Sequence, residues 1–593
     1  MFLYRFLSTI LLGMALPLAA QILPDVQQPL IKTPQFEIYI ATFGADSHSG
    51  DSLEPLATFT AALNKIESRT IGQTGDVYAA VVFYPGTYPF AASQPANKFE
   101  VNGRRLNVSV RGMNGAVLVG SGLNQGGGDA MIALKGHNIF VKNISIDYAP
   151  ANGINFGYRY NGTLIYSHDV LVENVRVKNT AGHGIIGGMG KMNENGSGFL
   201  DFSERFLFRN CEVTESVNHN NLEASQWGSA IKFHYVKNGI VENCRVYNNA
   251  GEGIDLDYCE NIMLKDNTLF DNRANIYLDK AENCILQSNL LYYKQRQSVS
   301  LLLSTEAVSA LIKDYFLRNI YIYNNTILNS QTAIGYWQGT IGGLQTTSLE
   351  NLHIAHNSII GKPLTTGGMI NFSYEKGHFG GPPSNINFSN ITLENNIISA
   401  HPHSLTRPIV FGPIDPQPAL SYGYNLWSEN PIRAYNSSTD LINANLPNYV
   451  SADSINKLIP LVGQTDALIF KVPAKDYLVD DMLDSLRTKP KTNVGAFELQ
   501  QGTATKMTEH ANEDDFKIYP NPVKDFIRLQ ASQNIGGASY QIVNSTGKLV
   551  MDGVISEKEI DIRLLPPGSY VLTFFKDKKA RQSARFLKVE SID

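Results

Sequence analysis

Six side chains in one stretch of this chain could do acid–base chemistry together: Lys232, His234, Glu252, Asp255, Asp257 and Asp279. They stand on three segments of equal length and like pattern, Ser-Ala-Ile-Lys-Phe-His (229–234), Glu-Gly-Ile-Asp-Leu-Asp (252–257) and Ala-Asn-Ile-Tyr-Leu-Asp (274–279). As strands, each would turn Ile231, Ile254 and Ile276, then Phe233, Leu256 and Leu278, to one face and the residues between them to the other. Laid side by side, the outward residues form three rows. The first holds His183, Ser229 and Glu252, the second Ile186, Lys232, Asp255 and Tyr277, the third Gly188, His234, Asp257 and Asp279. Strands about 4.8 Å apart, with same-face neighbours about 6.7 Å apart, would gather the ionisable groups into a patch roughly 10–15 Å across. Four carboxylates that close repel when all are ionised. The compensation could come from Lys232, from a protonated partner, or from a cation such as Ca2+ held by Asp255, Asp257 and Asp279.

Two mechanisms fit those residue types. In β-elimination from a uronic acid, Lys232 or His234 would remove the C5 proton while a cation neutralises the sugar carboxylate. In hydrolysis two carboxylates flank the glycosidic bond, and Asp255 with Asp257 lies near the lower edge of the roughly 6.5–9.5 Å inverting separation. A polymer epimerase would share the proton abstraction. Glu252 and His183 are candidate substrate contacts, and Tyr258, Trp227 and Trp337 candidate platforms for sugar rings. Against an enzyme stands a non-catalytic surface adhesin or glycan-binding protein, whose polar patch is merely a solvated face. The rungs beyond the patch lean that way, since they offer Gly335, Trp337, Asn371 and Ser373 instead of carboxylates.

The elements that must position these residues are legible as a repeat. Asn-Ile-Phe-Val-Lys-Asn-Ile at 138–144 returns as Asn-Gly-Ile-Val-Glu-Asn-Cys at 238–244, Asn-Ile-Met-Leu-Lys-Asp-Asn at 261–267 and Asn-Ile-Thr-Leu-Glu-Asn-Asn at 390–396, with further copies between. Each copy is a short alternating strand, a polar turn and a second strand. Such a unit cannot bury its apolar face alone, so the copies must stack. The turn residues Asn267, Asn289, Asn325, Asn357 and Asn396 would form a column whose side chains bond to one another. Cys211 and Cys244 fall at one place in adjacent copies and read as small buried residues; no disulfide is assigned, and the cysteine spacing does not suggest a metal site. At the open N-terminal end, apolar residues at helical spacing over 56–67 predict a capping helix.

Composition narrows the class. A chain of 593 residues with 43% hydrophobic and 17% charged residues, 49 Gly and a net charge of -5 suits a large, turn-rich, all-β exported protein. It shows no basic stripe that would engage nucleic acid. Arg5, the apolar 6–18 and Ala19-Ala20 read as a signal peptide over 1–20, and no later run is long enough for a membrane span. Residues 501–515 are polar and aperiodic, a linker; beyond them short alternating strands predict a small β-sandwich.

Within that tail, Lys517-Ile-Tyr-Pro-Asn-Pro-Val523, Asn544-Ser-Thr-Gly-Lys-Leu-Val550, Leu565-Pro-Pro-Gly-Ser-Tyr570 and Phe586-Leu-Lys-Val589 resemble the C-terminal sorting domain of the Bacteroidetes type 9 secretion system. The resemblance implies that 516–593 engages that machinery and that the protein is secreted or held at the outer-membrane surface of a Gram-negative bacterium. Residues 34–500 resemble the right-handed parallel β-helix proteins of the pectate-lyase-like superfamily. Ile38-Tyr-Ile-Ala-Thr-Phe-Gly-Ala-Asp46, Phe83-Tyr-Pro-Gly-Thr-Tyr88, the repeats and Asn493-Val-Gly-Ala-Phe-Glu498 carry that likeness. It implies an all-β fold and a polysaccharide or other glycan as partner, but not which activity, because this superfamily hosts lyases, hydrolases, epimerases and adhesins.

Overall fold

The computed structural model describes residues 23–89, 99–101, 106–120, 130–160, 163–192, 199–217, 228–296, 298–306, 314–339, 346–361, 369–372, 386–400, 409–411, 420–428, 438–442, 471–475, 478, 480–482, 487, 489–496, 517–519, 526–530, 539–544, 549–555, 559–563, 565, 568–576 and 579–588. The signal-peptide reading of 1–20, the linker reading of 501–515 and the candidate Trp227 lie outside these residues. The chain divides into two compact units, 1–499 and 500–593. No helix among the described residues is long and apolar enough to cross a membrane.

The first unit is a right-handed parallel β-helix. Its described strands form three long sheets of thirteen, eleven and thirteen strands, and each full repeat adds one strand to each sheet. The register is the one the alternation demands: Ile185 pairs with Ile231, Ile231 with Ile254 and Ile254 with Ile276. These isoleucines are fully buried, as are Phe233, Leu256 and Leu278. A slip of one residue would drive Lys232 and Asp255 into that apolar interior.

Turns close the repeats through residues with positive φ, mostly Asn, among them Asn143, Asn174, Asn243 and Asn324 at φ of 52–56°. Asn tolerates that left-handed conformation better than most residues. The next residue inward forms the buried column. The Asn267 side-chain amide donates to Asn289 Oδ1 at 3.0 Å, and the pattern continues through Asn325, Asn357 and Asn396 to Asn425. Each of these side-chain oxygens also accepts the backbone N–H of the preceding column member. Cys244 stands one place earlier in the column and donates its backbone N–H to Asn267 Oδ1. The four cysteines are buried free thiols.

The predicted helix forms over Phe59–Thr70, three residues later than the spacing indicated. Thr58 accepts the Ala61 N–H at 3.2 Å and sets the start. Leu56, expected inside the helix, instead pairs with Ile40 as an extended bridge. Phe59, Ala62 and Ile66 are buried, and the Phe59 ring stacks on Phe83 at 6.4 Å. The helix therefore covers the first turn of the coil.

A larger departure is the strand Val299–Glu306, which lies between Ala274–Asp279 and Thr332–Gly339 in the eleven-stranded sheet. The expected order ran directly from 274–279 to 332–337. Leu301-Leu302-Leu303 hides the alternation, because Leu302 is an outward residue that is itself apolar.

The second unit is a sandwich. Lys517–Tyr519, Phe526–Gln530 and Glu559–Asp561 form one antiparallel sheet. Ser539–Asn544, Leu549–Val554, Gly568–Lys576 and Lys579–Lys588 form the other. Ile527, Ile542, Ile560, Ile562 and Leu572 make its core.

Candidate active site

Three neighbouring strands of the eleven-stranded sheet carry the acidic residues on their outer face, and the strand before them carries Lys232 and His234. Ser229–His234 pairs with Glu252–Asp257, and that strand with Ala274–Asp279. Lys232 thereby sits beside Asp255, His234 beside Asp257, and Asp257 beside Asp279. The predicted rows are thus reproduced in space. The next strand brings Ser304 beside Asp279 and Trp337 beside Ser304, so Trp337 lies two rungs beyond Asp279 in the same row.

The face points outward yet is not solvated. Glu252, Asp255 and Asp279 are only 3%, 3% and 4% exposed. Lys232 is the centre of charge balance: its Nζ lies 2.8 Å from Asp255 Oδ2 and 3.2 Å from Asp257 Oδ2. The same Asp257 oxygen lies 2.9 Å from His234 Nδ1. Ser229 Oγ donates to Asp255 Oδ2 at 2.7 Å, whereas Asp255 Oδ1 is buried without a hydrogen-bond partner.

These surroundings split the carboxyl groups. Burial works against charge on Asp257, but Lys232 and His234 outweigh it and hold this carboxyl well below the usual range. Burial, then Asp257 and Glu306, push Asp279 well above it. Burial and the neighbouring Asp255 push Glu252 up to about 7. Asp255 is raised by burial, against the pull of Lys232. Burial would lower Lys232, but Asp255 and Asp257 more than reverse this and fix it as an ammonium.

Glu306 escaped the sequence reading because its strand did. Its backbone N–H donates to Asp279 Oδ1 at 2.9 Å, and its carboxylate accepts from the Tyr277 hydroxyl at 3.2 Å. Burial pushes its carboxyl up to about 7, against that hydrogen bond and with Asp257 and Asp255 adding to the rise. The signal available was Ser-Thr-Glu after an apolar run of strand length, in the register that follows Asp279.

The remaining candidates fall in distinct places. His183 adjoins the first row: its Nδ1 accepts the Ser229 N–H at 2.9 Å, which leaves any ring proton on Nε2. Burial, with Lys232 adding, lowers it to about 3, so the ring is neutral. Tyr258 does not offer a face to a sugar. Tyr235 stacks on it at 4.8 Å and 4°, and the Lys280 ammonium lies 5.6 Å from its ring centre. Glu252 is too enclosed to touch a substrate and contributes through Ser229 and Asp255.

The donor set fits a resident Ca2+ poorly. Such an ion needs six to eight oxygens, and here an ammonium already lies between Asp255 and Asp257. Among the described residues no group of three or more His, Cys, Asp or Glu side chains is arranged to hold a metal.

Comparison with known proteins agrees on architecture. No curated protein matches the chain in sequence. Solved structures similar to it include a complex described as XylC with xylose, at 11% identity and TM-score 0.42, covering 78% of this chain and 98% of the other. A rhamnogalacturonan lyase matches at 13% and 0.37, covering 71% and 98%. The A-module of an Azotobacter vinelandii mannuronan C-5 epimerase matches at 12% and 0.32, covering 61% and 95%. Residues 191–309, which include the four strands of the site, match the family described as right handed beta helix region. Residues 517–588 match the secretion system C-terminal sorting domain, as the tail motifs implied. The chain thus joins a right-handed β-helix to a C-terminal secretion sorting domain.

Proposed function

We propose that the acidic face over 229–306 is the catalytic site of an exported glycan-cleaving enzyme, and that the cleavage is hydrolysis. The observation that carries this reading is the division of labour among adjoining carboxyls. Asp257 is held ionised by Lys232 and His234, while on the next two strands Asp279 is held protonated and the Glu306 carboxyl is pushed up to about 7. Glycoside hydrolysis needs that pair: an acid that protonates the leaving oxygen and a carboxylate that attacks the anomeric carbon or activates a water. Glu306 is less enclosed than Asp279 and takes the acid role, with Tyr277 orienting it and Asp279 below it. Lys232 is unsuited to be a base, because two aspartates keep it charged.

A second reading rests on the Asp257–His234 contact. A carboxylate on Nδ1 leaves Nε2 to take a proton, which would serve β-elimination from a uronate. The product separates the two: hydrolysis yields saturated reducing ends, elimination an unsaturated ring with ultraviolet absorbance. In a screen of glycan polymers, saturated ends are expected. Turnover should fall about ten-fold per pH unit above the Glu306 pKa of about 7, and Glu306→Gln should abolish it. Unsaturated products would transfer the site to the second reading. Binding without turnover, unchanged in Asp257→Asn and Lys232→Ala, would make the protein an adhesin.

A further inference from the structure

The charge balance of the site constrains what can enter it. Its outer face carries Glu252, Asp255, Asp257, Asp279 and Glu306 on three successive strands. The strand before them supplies Lys232, one ammonium divided between two carboxylates. Two other cations lie near. Arg273 acts on the field of Glu252, and the Lys280 ammonium faces the Tyr258 and Tyr315 rings at 5.6 and 4.4 Å. Each cation therefore already has its counterpart. The segment 218–227, which precedes the first of these four strands in the chain, contains Glu223 and neither Lys nor Arg.

We infer that this site, read as the hydrolytic centre above, accepts a sugar unit that is uncharged or bears an amine, and rejects a uronate. A sugar carboxylate would arrive beside the ionised Asp257, whose ammonium partner is already shared with Asp255, and among carboxyls whose own ionisation is disfavoured there. A hydroxyl or an ammonium meets the opposite situation. Burial, with Asp257 and Asp255 adding, pushes Glu306 up to about 7, and a sugar amine beside it would supply positive charge. The acidic cluster is thus short of positive charge, its one ammonium being divided between two aspartates.

The test is calorimetric binding of the full-length protein to three families of oligosaccharide. One family is galacturonate oligomers, the second their methyl esters together with oligomers of neutral hexoses, the third oligomers of glucosamine. The uronate should bind at least about ten-fold more weakly than its uncharged ester. Lower salt should widen the gap, because a repulsion between partly exposed charges is screened by ions. Glucosamine oligomers should bind as tightly as the neutral ones or tighter. A uronate that binds as tightly as its ester, or a gap that ignores salt, overturns the inference. Cleavage of a uronate polymer into saturated ends would also overturn it and leave the hydrolytic reading standing. Charge-selective binding without turnover of any polymer would do the reverse. Failure to bind any member overturns both.

Discussion

The β-helix contains two buried polar arrays built on the same repeat, and they have opposite character. In the asparagine column every amide meets the next, and each side-chain oxygen takes both an amide and a backbone N–H. Nothing in it is charged and nothing is left over. In the acidic face, by contrast, one ammonium serves two aspartates, one aspartate oxygen has no partner, and four carboxyl groups are pushed up by burial. A periodic, neutral and satisfied array is what stacking alone needs. An array that leaves buried charge imperfectly matched costs stability, and such costs are typical of sites that do chemistry.

Breaking one residue in each array sharpens that contrast, and the largest effect belongs to the acidic face. Asp257→Asn should lower turnover by roughly 10²–10⁴-fold, and the denaturation midpoint should fall as well, because the folded state stabilises this carboxylate through Lys232 and His234, which both lose a charged partner. Native turnover per folded molecule would mean that Asp257 is structural only. The reciprocal experiment is Asn325→Leu in the column. It strands the backbone N–H of Asn289, takes one partner from the Asn289 amide and one from Asn357 Oδ1, and should cost about 2–4 kcal/mol in denaturant unfolding. Activity per folded molecule should be unchanged, because the column lies away from the acidic face.

A smaller effect follows from the raised carboxyls. Glu252 binds its proton more tightly folded than unfolded, so its contribution to stability is full below about pH 4.5 and is lost as pH rises towards about 7. Thermal midpoints should fall across that window. Glu252→Gln should flatten the slope and, at pH 8, add about 1–3 kcal/mol; a slope that persists unchanged would place the titration elsewhere. The smallest expected effect is that of a chelator. With Lys232 supplying the counter-charge, exhaustive treatment with EDTA should leave turnover and midpoint where they were. A collapse restored by Ca2+ would show that the ammonium is not the sole compensation.

Much of this was open to reading from the chain alone, for one physical reason. A period-two strand has only two faces, so once Ile231, Ile254 and Ile276 are assigned inward, the rows of Lys232, Asp255, His234, Asp257 and Asp279 follow without freedom. The asparagine column is legible in the same way, because a stack puts equivalent turn positions over one another. The tail motifs are local and equally plain. What the chain did not disclose is whatever depends on side chains reaching across rungs, or on elements whose pattern is masked. Leu302 broke the alternation of Val299–Glu306 and with it concealed Glu306. That Lys232 bridges two aspartates and is no free base depends on where its Nζ comes to rest, which spacing leaves open. Tyr258 looked like a platform until Tyr235 and Lys280 were found on its ring. Above all, the sequence says that these carboxylates point outward; only the tertiary structure decides that an outward residue can still be buried, and burial is the first cause of the split in charge state on which the chemistry rests.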